Sequence, residues 1–102
     1  MSSRPDGEST VVNVSGEVDL STTPVLRSAL VEHLDAGRKD LVLDLSEVGF
    51  LDSSGLGMLV SLHRRANDEG GSLRLTSVQR PVRRVLQITG LEEVFGVSEP
   101  EA

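Results

Sequence analysis

The residues with the most chemical potential lie in one short block, Asp52-Ser53-Ser54-Gly55-Leu56-Gly57. Two hydroxyls follow a carboxylate, and glycines let a neighbouring backbone approach closely. At the start of a helix such a block combines unpaired N–H groups, a partial positive charge and an alcohol. Two readings stand side by side. Asp-Ser-Ser is a good helix-capping sequence and can be nothing more. One serine suffices as a cap, however, so Ser54 is left on a tight turn as an accessible hydroxyl. Its use as an enzymic nucleophile finds no support. A base must lie in reach, the block is not Gly-x-Ser-x-Gly, and His33 and His63 stand in no motif. Lys39 is the only lysine, which excludes a Ser-x-x-Lys pair and leaves a receiver-type pocket of Asp19, Asp44 and Asp52 without its usual lysine. Gly55 and Gly57 lack the third glycine of a dinucleotide fingerprint, and no Gly-Lys-Ser/Thr is present.

The elements that must hold this block are legible from periodicity. Residues 10–20 read as a strand rich in valine, with Ser15-Gly16 marking a bulge or bend. Ser21-Thr22-Thr23-Pro24 stops it and starts a helix with a hydroxyl cap and a first-turn proline. Residues 25–36 then place Val25, Leu26, Ala29, Leu30 and Leu34 on one face. The run LVLDL at 41–45 reads as a strand buried on both faces. A second helix is expected over 55–68, a strand over 73–78, a third helix over 79–89 and a last short strand over 91–97. The alternation predicts an α/β fold with crossover connections. The block therefore sits just beyond the carboxyl end of a strand, where open α/β sheets bind ligands.

Composition narrows the function further. A chain of 102 residues makes one domain. The residues 1–9 read as a flexible polar N-terminus, 10–97 as the domain and 98–102 as a short tail. Phe50 and Phe95 are the only aromatics, so the core is aliphatic. Cysteine is absent, which removes disulfides, thiol catalysis and Cys-based zinc sites. No apolar run approaches the ~20 residues of a membrane span, and residues 1–10 have no apolar core of a signal peptide. A cytoplasmic location is the expectation. The formal net charge of −6 gives no general reason to bind nucleic acid or an anionic membrane. Arg80, Arg83 and Arg84 read as a solvated helix face. His33 and His63 read as packed histidines, and Asp44 as either a functional or a hydrogen-bonded strand-end carboxylate. No cofactor or metal is expected.

The stretch LVLDLSEVGFLDSSGLGMLV resembles the central block of STAS domains, in particular the bacterial anti-sigma-factor antagonists. Gly16-Glu17-Val18-Asp19 is similar to their Gly-Glu-x-Asp motif at the end of an N-terminal strand. The resemblance runs in order and spacing from about Val11 to Phe95. It implies a single small mixed β-sheet with helices packed mainly on one side. It implies that Ser54 is phosphorylated by a serine kinase that is also the anti-sigma factor, and that a phosphatase reverses this. The unphosphorylated chain would bind the anti-sigma factor and free the sigma factor. Asp19 and Asp52 match family positions beside the serine. Partner contact is expected from Asp19, Asp52, Ser53, Ser54, Gly55 and Met58, although Met58 also reads as filler at the edge of the core. Two departures are expected. The N-terminal residues are too polar to supply the usual first strand, and Pro100 makes a further C-terminal helix unfavourable. The alternative reading is a STAS-type scaffold, or a partner module of a stress-signalling complex or transporter, with no sigma-factor release.

Overall fold

The computed structural model describes residues 1–97. Four strands and three helices follow one another: β1 (Ser2–Asp6), β2 (Ser9–Ser15), α1 (Thr23–Asp35), β3 (Asp40–Glu47), α2 (Ser53–Asp68), β4 (Ser72–Thr76) and α3 (Arg80–Ile88). They form one sheet in the order β1-β2-β3-β4. β1 runs antiparallel to β2, while β2, β3 and β4 are parallel to their neighbours. The mixed sheet follows from loop length. A two-residue turn joins β1 to β2, whereas each parallel pair needs a helix as its crossover.

Cross-strand register divides the sheet into two faces. Leu41 pairs with Leu73 and Leu43 with Leu75, and these residues are fully buried. With Val12, Val14 and Leu45 they form the sheet's contribution to a single aliphatic core. The helices answer with Leu26, Leu30 and Leu34 from α1, Leu59, Leu62 and Ala66 from α2, and Val82 and Leu86 from α3. The opposite face carries the row Arg4, Val11, Val42 and Arg74. Val11 is buried there, yet it stands outside the core cluster, and Arg4 and Arg74 are exposed. The helices thus cover one face. The LVLDL run is accordingly not buried on both sides: Val42 and Asp44 are half-buried, and alternation holds through β3.

The N-terminus departs from expectation. Residues 2–6 form β1 rather than a flexible segment, although all five are exposed. An edge strand with one partner needs backbone hydrogen bonds, not apolar side chains, and tolerates a proline such as Pro5. Gly7, at φ 64, supplies the first central position of the tight turn. The Gly7-Glu8 pair, with glycine at the first central position, was the sequence signal for it.

The expected strand over 91–97 is also absent. The segment forms turns in which the Phe95 N–H donates to the Leu91 carbonyl at 3.1 Å, an i to i−4 bond. Leu91 and Phe95 are one helical turn apart, so both point inward, and Phe95 is fully buried against the core. His63 meets the Phe95 ring edge-on at 5.5 Å. Residues 98–102 and the expectations for that tail lie outside the described residues.

Candidate functional site

Two loops leave the carboxyl ends of β2 and β3 side by side. They are joined by a parallel bridge between Val18 and Leu51, the residues directly before Asp19 and Asp52. The Val18 N–H donates to the Phe50 carbonyl at 2.9 Å, and the Asp52 N–H donates to the Val18 carbonyl at 3.0 Å. This bridge brings the Gly-Glu-x-Asp segment against the Asp-Ser-Ser-Gly segment, which are 33 residues apart at their aspartates (52 minus 19).

Helix α2 starts at Ser53, two residues earlier than the sequence predicts, because Asp52 and not a serine is its cap. The Asp52 carboxylate accepts from the backbone N–H groups of Ser54 at 3.0 Å and Gly55 at 3.1 Å. The same oxygen accepts the Ser54 hydroxyl proton at 2.6 Å. The Ser54 hydroxyl bond and the Gly55 and Ser54 N–H groups hold the Asp52 carboxyl below its ordinary value, and the Leu20 N–H adds to this. Asp52 is therefore a fixed anion that orients the Ser54 hydroxyl. A carboxylate of lowered basicity is a poor proton acceptor, so Asp52 orients the Ser54 hydroxyl rather than taking its proton.

Gly55 completes the turn by what it lacks. A Cβ there would stand 2.6 Å from Val18 Cγ1 and 2.8 Å from Leu51 Cδ1. Its absence lets α2 close onto the bridge that joins the two loops.

Asp19 sits in the mate of this arrangement. Its carboxylate accepts the Ser21 hydroxyl at 2.7 Å, the Ser21 N–H at 2.9 Å and the Thr22 N–H at 3.1 Å. These bonds, the Ser21 hydroxyl first, hold its carboxyl below the ordinary range. Thr22 is the cap residue of α1 by position, but its hydroxyl donates to the Glu17 carbonyl at 2.7 Å and makes no cap bond.

Of the residues expected to meet a partner, Asp19, Asp52 and Ser54 are half-buried and Ser53 is exposed. Met58 and Gly55 are corrected: both are buried, Met58 at 7% exposure within the core, so neither presents a side chain outward. Met58, one turn after Ser54, belongs to the core cluster, and its burial is a packing matter.

Three residues that sequence reasoning missed surround the turn. Leu20 is 77% exposed, Val25 65% and Phe50 48%. Leu20 and Phe50 flank the two aspartate turns, and Val25 lies in the first turn of α1. Val25 was expected to point inward with Leu26. Phe50, directly before the buried Leu51, broke the local alternation and was a signal, whereas Leu20 keeps the parity of Val14 and Val18 and gave none. The three give the anionic turn an apolar rim. Asp44 accepts the Ser46 N–H at 2.9 Å, as a strand-end carboxylate does. His63 is packed, 3.4 Å from the Leu73 carbonyl and edge-on to Phe95, whereas His33 is half-buried and faces the exposed Arg38 guanidinium at 3.3 Å.

A family model described as Mlab, STAS domain, matches residues 1–97. The anti-sigma-B factor antagonist of Bacillus subtilis is 38% identical over 87 residues, which cover 85% of this chain and 79% of that protein. The crystal structure of an anti-sigma factor antagonist from Mycobacterium paratuberculosis is 32% identical, with a TM-score of 0.84 over 97% of this chain and 83% of that one. The Bacillus cell fate determinant SpoIIAA in its phosphorylated form shares the fold at 20% identity, with a TM-score of 0.76 over 98% of this chain and 90% of that one.

Proposed function

The chain belongs to the STAS domain family, and from that premise we propose that it is an anti-sigma factor antagonist switched by phosphorylation of Ser54. Unphosphorylated, it binds an anti-sigma factor that is also a serine kinase, and the sigma factor is released. Phosphorylated, it lets the anti-sigma factor go, and a serine phosphatase restores it. It works by binding and not by catalysis, in the cytoplasm where the transcription machinery is. Among the described residues no helix is long and apolar enough to cross a membrane.

The observation that carries this reading is the Ser54 hydroxyl, half-buried in the first turn of α2 and donated to Asp52 at 2.6 Å. Phosphate on that oxygen removes the donated proton and adds about −1.5 to −2 charges. The helix N-terminus favours an anion, and SpoIIAA shows that this fold exists in a phosphorylated form. The fold therefore tolerates the group, and the cost falls on the docked partner. Two like unit charges ~6 Å apart repel by about 3 kcal/mol at an effective dielectric near ~20. Asp19, Asp52 and Ser53 complete the polar centre of the docking surface, with Leu20, Val25 and Phe50 as its apolar rim.

The test is capture of the anti-sigma factor by Ser54→Ala and Ser54→Asp chains. The Ala chain is expected to bind it as the unmodified protein does. The Asp chain is expected to bind about a hundredfold more weakly. Equal binding by both removes the switch from Ser54.

A further inference from the structure

The turn that presents Ser54 has a duplicate. Val18-Asp19-Leu20-Ser21 and Leu51-Asp52-Ser53-Ser54 start from the two residues of the same parallel bridge. In each, an aspartate oxygen accepts the hydroxyl of the serine two residues later, at 2.7 Å in one and 2.6 Å in the other. In each, the same oxygen accepts that serine's N–H, at 2.9 Å and 3.0 Å, and the next N–H, at 3.1 Å in both. Both lead into a helix, and both open onto the end of the molecule where β2 and β3 finish. Ser54 is half-buried, whereas Ser21 is exposed.

We propose that Ser21 is a second phosphorylation site, taken by the same class of serine kinase because it offers the same Asp-x-Ser turn with its hydroxyl oriented by Asp19. This rests on the Ser54 reading for the existence of the kinase. The neighbouring hydroxyls do not match. Thr22 gives its hydroxyl proton to the backbone carbonyl of Glu17 at 2.7 Å, and its contact with the Asp19 carboxylate is the longer one, 3.2 Å against 2.7 Å for Ser21. Thr23 is buried. Ser53 is one residue, not two, from its aspartate. Ser21 is exposed and also lines a groove of about 240 Å³ between β2 and α1, whose wall includes Val18, Val25 and Leu26.

The transfer balances as an ordinary kinase step. Ser21 Oγ forms a bond to the γ-phosphorus of a nucleoside triphosphate, and the bond from that phosphorus to the bridging oxygen breaks to leave the diphosphate. The hydroxyl proton, donated in a hydrogen bond to Asp19 in the free chain, goes to the kinase's base. Phosphate at Ser21 would place a second dianion across the bridge from Ser54. The two sites together define a chain with three charge states and graded release of the partner.

The test is intact mass and fragment mapping of the full chain recovered from its own cells, as wild type and as Ser54→Ala, Ser21→Ala and double-Ala variants. The expected result is up to two phosphates on the wild type, one on Ser54→Ala mapped to Ser21, one on Ser21→Ala mapped to Ser54, and none on the double variant. A wild type with Ser54 modified and a Ser54→Ala chain with no phosphate overturns the Ser21 site and leaves Ser54 standing. Phosphate on Ser53 or Thr22 in the Ser54→Ala chain also overturns it. Phosphate on Ser21 with none on Ser54 supports this site and removes the other. A wild type with no phosphate at either serine overturns both.

Discussion

Asp52 does two jobs with one oxygen: it caps α2 and it points the Ser54 hydroxyl. Both depend on its being ionised, and its folded-state acidity is raised by those bonds, the Ser54 hydroxyl foremost. A carboxyl held below its unfolded value stabilises the fold above that value, and the contribution is lost as pH falls through the folded one. Asp19 behaves in the same way. Urea unfolding followed from pH 7 down through pH ~4 to pH ~2 is therefore expected to show a loss of stability below about pH 4, and Asp52→Asn and Asp19→Asn should each flatten that loss. Identical pH profiles for wild type and variants would contradict the assignment. At this scale the sequence made the block at 52–57 stand out, because two hydroxyls follow a carboxylate where one cap suffices. The division of labour within it was hidden. Which residue caps is decided by backbone conformation at Asp52, where φ −95 and ψ −178 are extended, and a string of three capping types leaves that open.

Two glycines in α2 make opposite demands on the element that carries Ser54. A Cβ at Gly55 meets Val18 and Leu51 within 3 Å, while one at Gly57 meets nothing within 4 Å. Gly57→Ala is expected to stabilise the protein by about 0.5–1 kcal/mol through helix propensity. Gly55→Ala is expected to cost about 1–3 kcal/mol as the overpacked bridge gives way. Denaturant midpoints of the two variants, compared with wild type, should move in opposite directions. The turn at 91–97 packs beside β4, where the Phe95 carbonyl accepts the Leu75 N–H at 3.3 Å and the Phe95 ring meets His63 of α2. Phe95→Ala should destabilise by about 3–5 kcal/mol, read as a lower urea midpoint. The helices were legible because Leu26, Leu30 and Leu34, or Leu59, Leu62 and Ala66, recur at helical steps. The 91–97 segment misled because its length suits a strand, although Leu91 and Phe95 already stood one helical turn apart. β1 was invisible to hydrophobic pattern for the reason that makes it an edge: it buries no side chain.

At the scale of the whole molecule, one layer of helices on a four-stranded sheet leaves every loop that follows a parallel strand at one end. That gathers Asp19, Ser21, Asp52 and Ser54 there and leaves the other end and the bare sheet face to stability. The architecture as a class followed from alternating periods in the sequence, but the side on which the sheet is bare did not, since Val11 and Val42 look like core. The sheet has one further margin of interest. Pairing of Asp6 with Ser9 closes the two-residue turn, so the next pair, Pro5 with Thr10, is the kind whose amide groups face away from each other. At Pro5 the outward group has no hydrogen to give. Proline thus blanks one donor in the row that a stray extended peptide would otherwise read. Pro5→Thr restores the row and, in concentrated solution, should convert a well-behaved protein into one that scatters light and binds amyloid dyes; clear, dye-negative solutions of that variant would mean the margin is guarded by something else.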